Sequence, residues 1–66
     1  MLVGTDQYLE KQRQRYQDAM TQGHVSSAHD ALWRAASSAN LLEHWEVSSE
    51  GFTEARVAQL TQALGW

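Results

Sequence analysis

The apolar positions of this chain fall into three stripes of helical period, separated by Gly23 and Gly51 and closed by Gly65. In the first, Tyr8, Leu9, Tyr16, Ala19 and Met20 share a face when wound at about 100° per residue, with Gln12 inside the stripe and Arg13 on its edge. Thr5 is a suitable N-cap with Asp6 in the first turn, and Gly23 suits the C′ position, so a helix is expected over 5–22. The second stripe is the clearest: Ala28, Ala31, Leu32, Ala35, Ala36, Ala39 and Leu42. Five of these seven are alanine, which lets two helix axes approach closely. Ser27 and Asp30 have the spacing of a shortened capping box, and the predicted helix covers 26–45. Glu43 and Glu46 prolong the same stripe, so its buried part is expected to end at Leu42.

The third stripe is Val57, Leu60 and Leu64. Phe52, Thr53 and Val57 have the N′–Ncap–N4 spacing of a hydrophobic staple, and Gly65 with Trp66 suits a C′–C″ ending in which Trp66 folds back on Leu60 and Thr61. The fold class is therefore all-α: an antiparallel helical hairpin, 5–22 and 26–45, closed by a short third helix at 53–64. Residues 1–66 form a single small helical domain in this reading, with Val47–Gly51 as its flexible connector.

Composition supports helix and bounds the object. Proline and isoleucine are absent, and nine residues are alanine. A chain of this size buries only about 60% of its unfolded surface. It has no cysteine, hence no disulfide to help. Close helix packing, oligomerisation or a partner must supply the rest. Five basic against eight acidic residues give a net charge of −3, which disfavours DNA binding through phosphate neutralisation. No apolar run is long enough for a membrane span, and Met1–Asp6 lacks the basic and apolar regions of a signal peptide. A cytoplasmic protein without membrane contact is the expectation.

Chemistry-bearing patterns are thin. His24, His29 and His44 lack both a cysteine and a metal-protease spacing, so boundary or surface roles are expected rather than zinc ligation. The serines come as pairs outside any nucleophile elbow, and the glycines are too isolated to cradle a phosphate. No catalytic residue, cofactor or metal is expected, and the chain does not read as an enzyme. Lys11, Arg13 and Arg15 form one basic cluster, diluted by Glu10 and Asp18 and read as a solvated helix face.

The tryptophans carry more. Trp33 projects beside His29, Ser37 and Asn40 on a second ridge of the predicted second helix, and Leu41 projects nearly opposite the alanine stripe. Trp45 sits at that helix's end. A third helix could cover this ridge, or the ridge could be exposed as a partner surface, since tryptophan is enriched at binding hot spots. Trp33, Leu41 and Trp45 are the candidate partner-binding residues.

The run Ala19-Met20-Thr21-Gln22-Gly23-His24 through Trp33-Arg34-Ala35-Ala36 resembles the helix–Gly–helix turn of PaREP1-type proteins, within the wider HEPN class of small helical domains. The likeness spans about residues 8–45 and consists of a Gly turn, an early alanine in the next helix and a Trp-x-Ala-Ala segment. The turn also resembles half of a tetratricopeptide repeat through Gly23, Ala28, Leu32 and Ala35, but Tyr16 and Arg15 depart from that pattern. HEPN ribonucleases place a histidine a few residues after an arginine. Here eight residues separate Arg15 from His24 and nine separate Arg34 from His44, so nuclease activity is not implied. What the resemblance implies is a hairpin that dimerises or pairs with another protein. The expected function is a small non-enzymatic interaction module, an adaptor, inhibitor or accessory subunit, with a protein partner or a second copy. The second-ranked reading is a HEPN-like RNA-associated component of a toxin–antitoxin or defence system, with Lys11, Arg15 and His24 as its polar candidates.

Overall fold

A computed structural model describes the backbone of residues 3–66 and the side chains of residues 6–66. Among the described residues three helices carry the fold: α1 (Val3–Thr21), α2 (Val25–Ser38) and α3 (Glu54–Leu64), with a 3-10 turn at Ser49–Gly51 before α3. No strand occurs among the described residues. The all-α hairpin closed by a third helix is the observed architecture.

The short turn between α1 and α2 makes them antiparallel neighbours, and theirs is the most extensive packing in the molecule. Ala28, Ala31, Ala35 and Ala36 are fully buried, as the alanine stripe requires. From α1, Ala19 and Gln12 are buried. Gln12 keeps its polar end satisfied by accepting a 2.8 Å hydrogen bond from Arg15 Nη1. Tyr8 and Met20, at the edges of the α1 stripe, stay exposed.

Leu32, Ala36 and Leu60 form the central cluster, with Tyr16, Leu41, Leu42, Phe52, Val57, Leu64 and Trp66 packed around it. Burying Leu32 and Leu60 contributes roughly 1.5–3 kcal/mol each. The third helix ends as its sequence predicts. Thr53 Oγ1 accepts from Arg56 N at 3.1 Å, and Gly65 is left-handed at φ +77°. Trp66 N–H then donates to Thr61 O at 2.8 Å, and its ring meets Tyr16 with centroids 5.4 Å apart.

Three boundaries differ from those expected. First, α1 already includes Val3, so Thr5 lies within the helix rather than at its N-cap position. Second, α2 starts at Val25 rather than at Ser26 or Ser27, and no capping box forms. Gly23, at φ +77°, and His24, whose N–H donates to Ala19 O at 2.7 Å, close α1 so tightly that the chain re-enters helix at once. His24 is the N-cap and makes no side-chain cap bond, while Asp30 is taken by Arg34 at 2.9 Å. Third, α2 stops at Ser38 instead of running to 45. Asn40 is left-handed at φ 60°, Asn40 N–H donates to Ser37 O at 3.1 Å, and Leu41 N–H donates to Ala36 O at 2.9 Å. This is the same ending that glycine gives α1 and α3, with asparagine at C′. A continued helix would have carried Glu43 and Glu46 along the core stripe. Ending early turns Leu41 and Leu42 onto the core and frees both glutamates.

Candidate functional site

The segment between α2 and the 3-10 turn is a loop, yet it is tied down at several points. Trp33, half-buried on α2, donates its indole Nε1–H to Glu46 O at 2.9 Å. The Glu46 carboxylate accepts from Arg56 twice, Nη2 to Oε1 at 2.7 Å and Nε to Oε2 at 2.8 Å. Its Oε1 also accepts from Glu43 N at 2.8 Å. Arg56 Nη2 reaches Leu41 O at 3.0 Å as well, so one guanidinium on α3 holds both ends of the segment. These side chains are largely shielded, at 25% exposure for Arg56 and 12% for Glu46. A fork-on-fork pair is the stronger kind of ion pair, and its partial burial limits screening. The hydrogen bonds from Arg56, and after them the Glu43 N–H, hold the Glu46 carboxyl below its ordinary pKa, while the same pairing raises Arg56.

Within this frame the chain makes two tight turns, Glu46 N–H to Glu43 O and Val47 N–H to Trp45 O, both at 3.0 Å. They leave Trp45 66% and Val47 80% exposed, the largest values among the exposed large hydrophobic residues. The His44 ring meets Trp45 edge-on, with centroids 5.1 Å apart. Trp45, Val47, Ser48, Gly51 and Phe52 line a shallow cleft of about 180 Å³ beside Glu46. A larger open groove of about 450 Å³ is bordered by all three helices and lined by Tyr16, Met20, Val25, His29, Val57 and Thr61 among others.

The three candidate partner residues therefore part company. Trp33 and Leu41 do not share an exposed ridge of α2, because the helix ends before Leu41. Leu41 packs on the core cluster, and Trp33 spends its one polar hydrogen on the loop backbone. Only Trp45 is presented outward. The basic candidates are also dispersed. Arg15 approaches Asp30 at 3.5 Å beside Arg34 on the same oxygen, and Arg13 pairs with Glu10. His24 occupies the N-cap position of α2 without a side-chain cap bond, and Lys11 lies near the middle of α1. His29 meets Phe52 edge-on at 5.9 Å, so the three histidines lie in three settings.

Sequence reasoning missed Glu46 and Arg56, the residues that organise this surface. Nothing local marks a pair ten residues apart. The early end of α2 did have a local signal: Asn40 followed by apolar Leu41, the next-best residue to glycine at C′ with the usual apolar C″. No helix among the described residues is long and apolar enough to cross a membrane. No family model, curated protein or solved structure matches this chain.

Proposed function

We propose that this chain is a small non-enzymatic protein-interaction module whose contact anchor is Trp45, with Val47 beside it. The observation that carries this reading is an exposed indole on a braced loop. Large apolar side chains at 66% and 80% exposure contribute little to the fold. Yet the turn bearing them is fixed by Trp33, Glu46 and Arg56. A preorganised aromatic loses little conformational freedom on binding, which is why such residues dominate interface energetics.

The test compares wild type with Trp45→Ala. Sedimentation reports self-association, and affinity capture from the native source with identification of the retained protein reports a heterologous partner. Circular dichroism on the same samples reports the fold. The proposal requires a partner that wild type holds and a folded Trp45→Ala variant releases. Equal retention by both proteins refutes Trp45 as the anchor. RNA association would instead weaken steeply with salt and depend on Lys11 and Arg15, which lie on α1 and not on the Trp45 loop.

A further inference from the structure

Charge is divided unevenly between the two halves of the molecule. Residues 1–39 hold four acidic residues (Asp6, Glu10, Asp18, Asp30) and four basic ones (Lys11, Arg13, Arg15, Arg34), which cancel. Residues 40–66 hold Glu43, Glu46, Glu50 and Glu54 against Arg56 alone, so the entire net charge of −3 resides there. Arg56 is committed to Glu46. Among the described residues, Glu43, Glu50 and Glu54 meet no cation within ion-pair distance. Glu43 opens the turn that carries Trp45, and Glu50 lies in the 3-10 turn whose Gly51 lines the cleft beside Trp45 and Val47.

From this juxtaposition we infer that the Trp45–Val47 surface receives a basic, partly apolar segment of a protein partner. An arginine or lysine of that segment stacks on the Trp45 indole and faces Glu43 and Glu50, while an apolar neighbour enters the cleft beside Val47 and Phe52. The inference rests on the interaction reading above and names its occupant. A cation over an indole face gains electrostatically from the ring, and gains more where carboxylates flank it. The same carboxylates repel phosphate, so nucleic acid and anionic lipid are the wrong sign for this loop. The larger groove bordered by the three helices has no comparable charge signature: its lining offers Glu54 and His29, and nothing there identifies an occupant.

The probe is a blocked hexapeptide of alternating leucine and arginine, titrated into isotopically labelled full-length protein and followed by amide chemical shifts. A leucine–glutamate hexapeptide and an oligouridylate of similar length serve as controls. The expected result is shifts concentrated in residues 43–52 with the arginine peptide and none with either control. Trp45→Ala should weaken binding by about tenfold, and Glu43→Gln with Glu50→Gln should weaken it similarly and flatten its salt dependence. Trp45, Glu43 and Glu50 are all exposed, and the variants' own spectra verify that each keeps the dispersion of the wild-type fold. Shifts centred on α1, binding unaffected by Trp45→Ala, or equal binding of the glutamate peptide each overturn the inference. If the arginine peptide fails to bind but sedimentation shows Trp45-dependent self-association, the occupant is a second copy. In that case this inference falls while the interaction module stands. If Trp45→Ala changes neither assay nor partner capture, both readings fall.

Discussion

Glu46 and Arg56, ten residues apart in sequence, are joined by two hydrogen bonds of 2.7 and 2.8 Å, and the guanidinium that makes them also holds Leu41 O. The pair thereby anchors both sides of the turn that bears Trp45. Its polar atoms are well used: Glu43 N–H and Gln59 Oε1 take up further capacity. Two residues behind the loop thus set the shape of the exposed surface around Trp45 and Val47.

That pair should make stability depend on pH in a definite direction. Hydrogen bonds from Arg56 and then Glu43 favour the ionised Glu46, so its folded-state pKa lies below its unfolded one. The stabilisation is complete above the ordinary carboxylate range and is lost as pH falls toward the depressed folded value. Between about pH 6 and pH 3 the wild-type melting midpoint should therefore drop more steeply than that of Glu46→Gln. The variant should start lower at neutral pH and titrate less. Parallel curves would show that Glu46 ionisation is not coupled to folding.

The alanine stripe makes a separate prediction about packing. Ala35 is fully buried on the alanine face of α2, the helix whose packing against α1 is the most extensive in the molecule. Ala35→Leu should overpack this contact and cost roughly 1–3 kcal/mol, read from thermal or denaturant melts. An unchanged midpoint would mean that the hairpin can open there without penalty.

Helix endings yield the next test. Asn40 is the one non-glycine residue at positive φ among the described residues, and it ends α2 by the same hydrogen bonds that Gly23 and Gly65 support elsewhere. Alanine there meets the left-handed penalty of about 1–2 kcal/mol, whereas glycine does not. Asn40→Ala should lower stability by about that amount and Asn40→Gly should match or exceed wild type. Equal loss in both variants would point to the asparagine side chain instead of the backbone conformation.

How much of this was legible in the sequence follows from the range of each interaction. The alanine stripe, the Gly23 and Gly65 endings and the Phe52–Thr53–Val57 start are local patterns of spacing, and each appears in the fold where the spacing puts it. The α2 boundary departs from the spacing because Leu41 and Leu42 continue the apolar pattern beyond Asn40, a weaker stop residue than glycine. A helix continued past Asn40 would project Leu41 opposite the alanine stripe, whereas the early ending turns it onto the core. The bracing of the Trp45 loop was not legible at all, since Trp33, Glu46 and Arg56 belong to three separate segments and only the closed tertiary structure brings them together.

The two tryptophans separated by this structure should behave oppositely when truncated. Trp33 is half-buried and bonded to the loop backbone, and Leu41 packs on the cluster of Leu32, Ala36 and Leu60. Trimming a half-buried large side chain to alanine should cost about 2 kcal/mol at each position, toward the lower end of the range for core truncations. A domain of this size has only about 3–5 kcal/mol to lose. Trp33→Ala with Leu41→Ala should therefore abolish the cooperative melt. Trp45→Ala, which removes a side chain 66% exposed, should shift stability by no more than about 0.5 kcal/mol. Circular dichroism melts of the three proteins decide the matter. A double variant that melts like wild type would move Trp33 and Leu41 out of the structural role given to them here and back among the candidate contact residues.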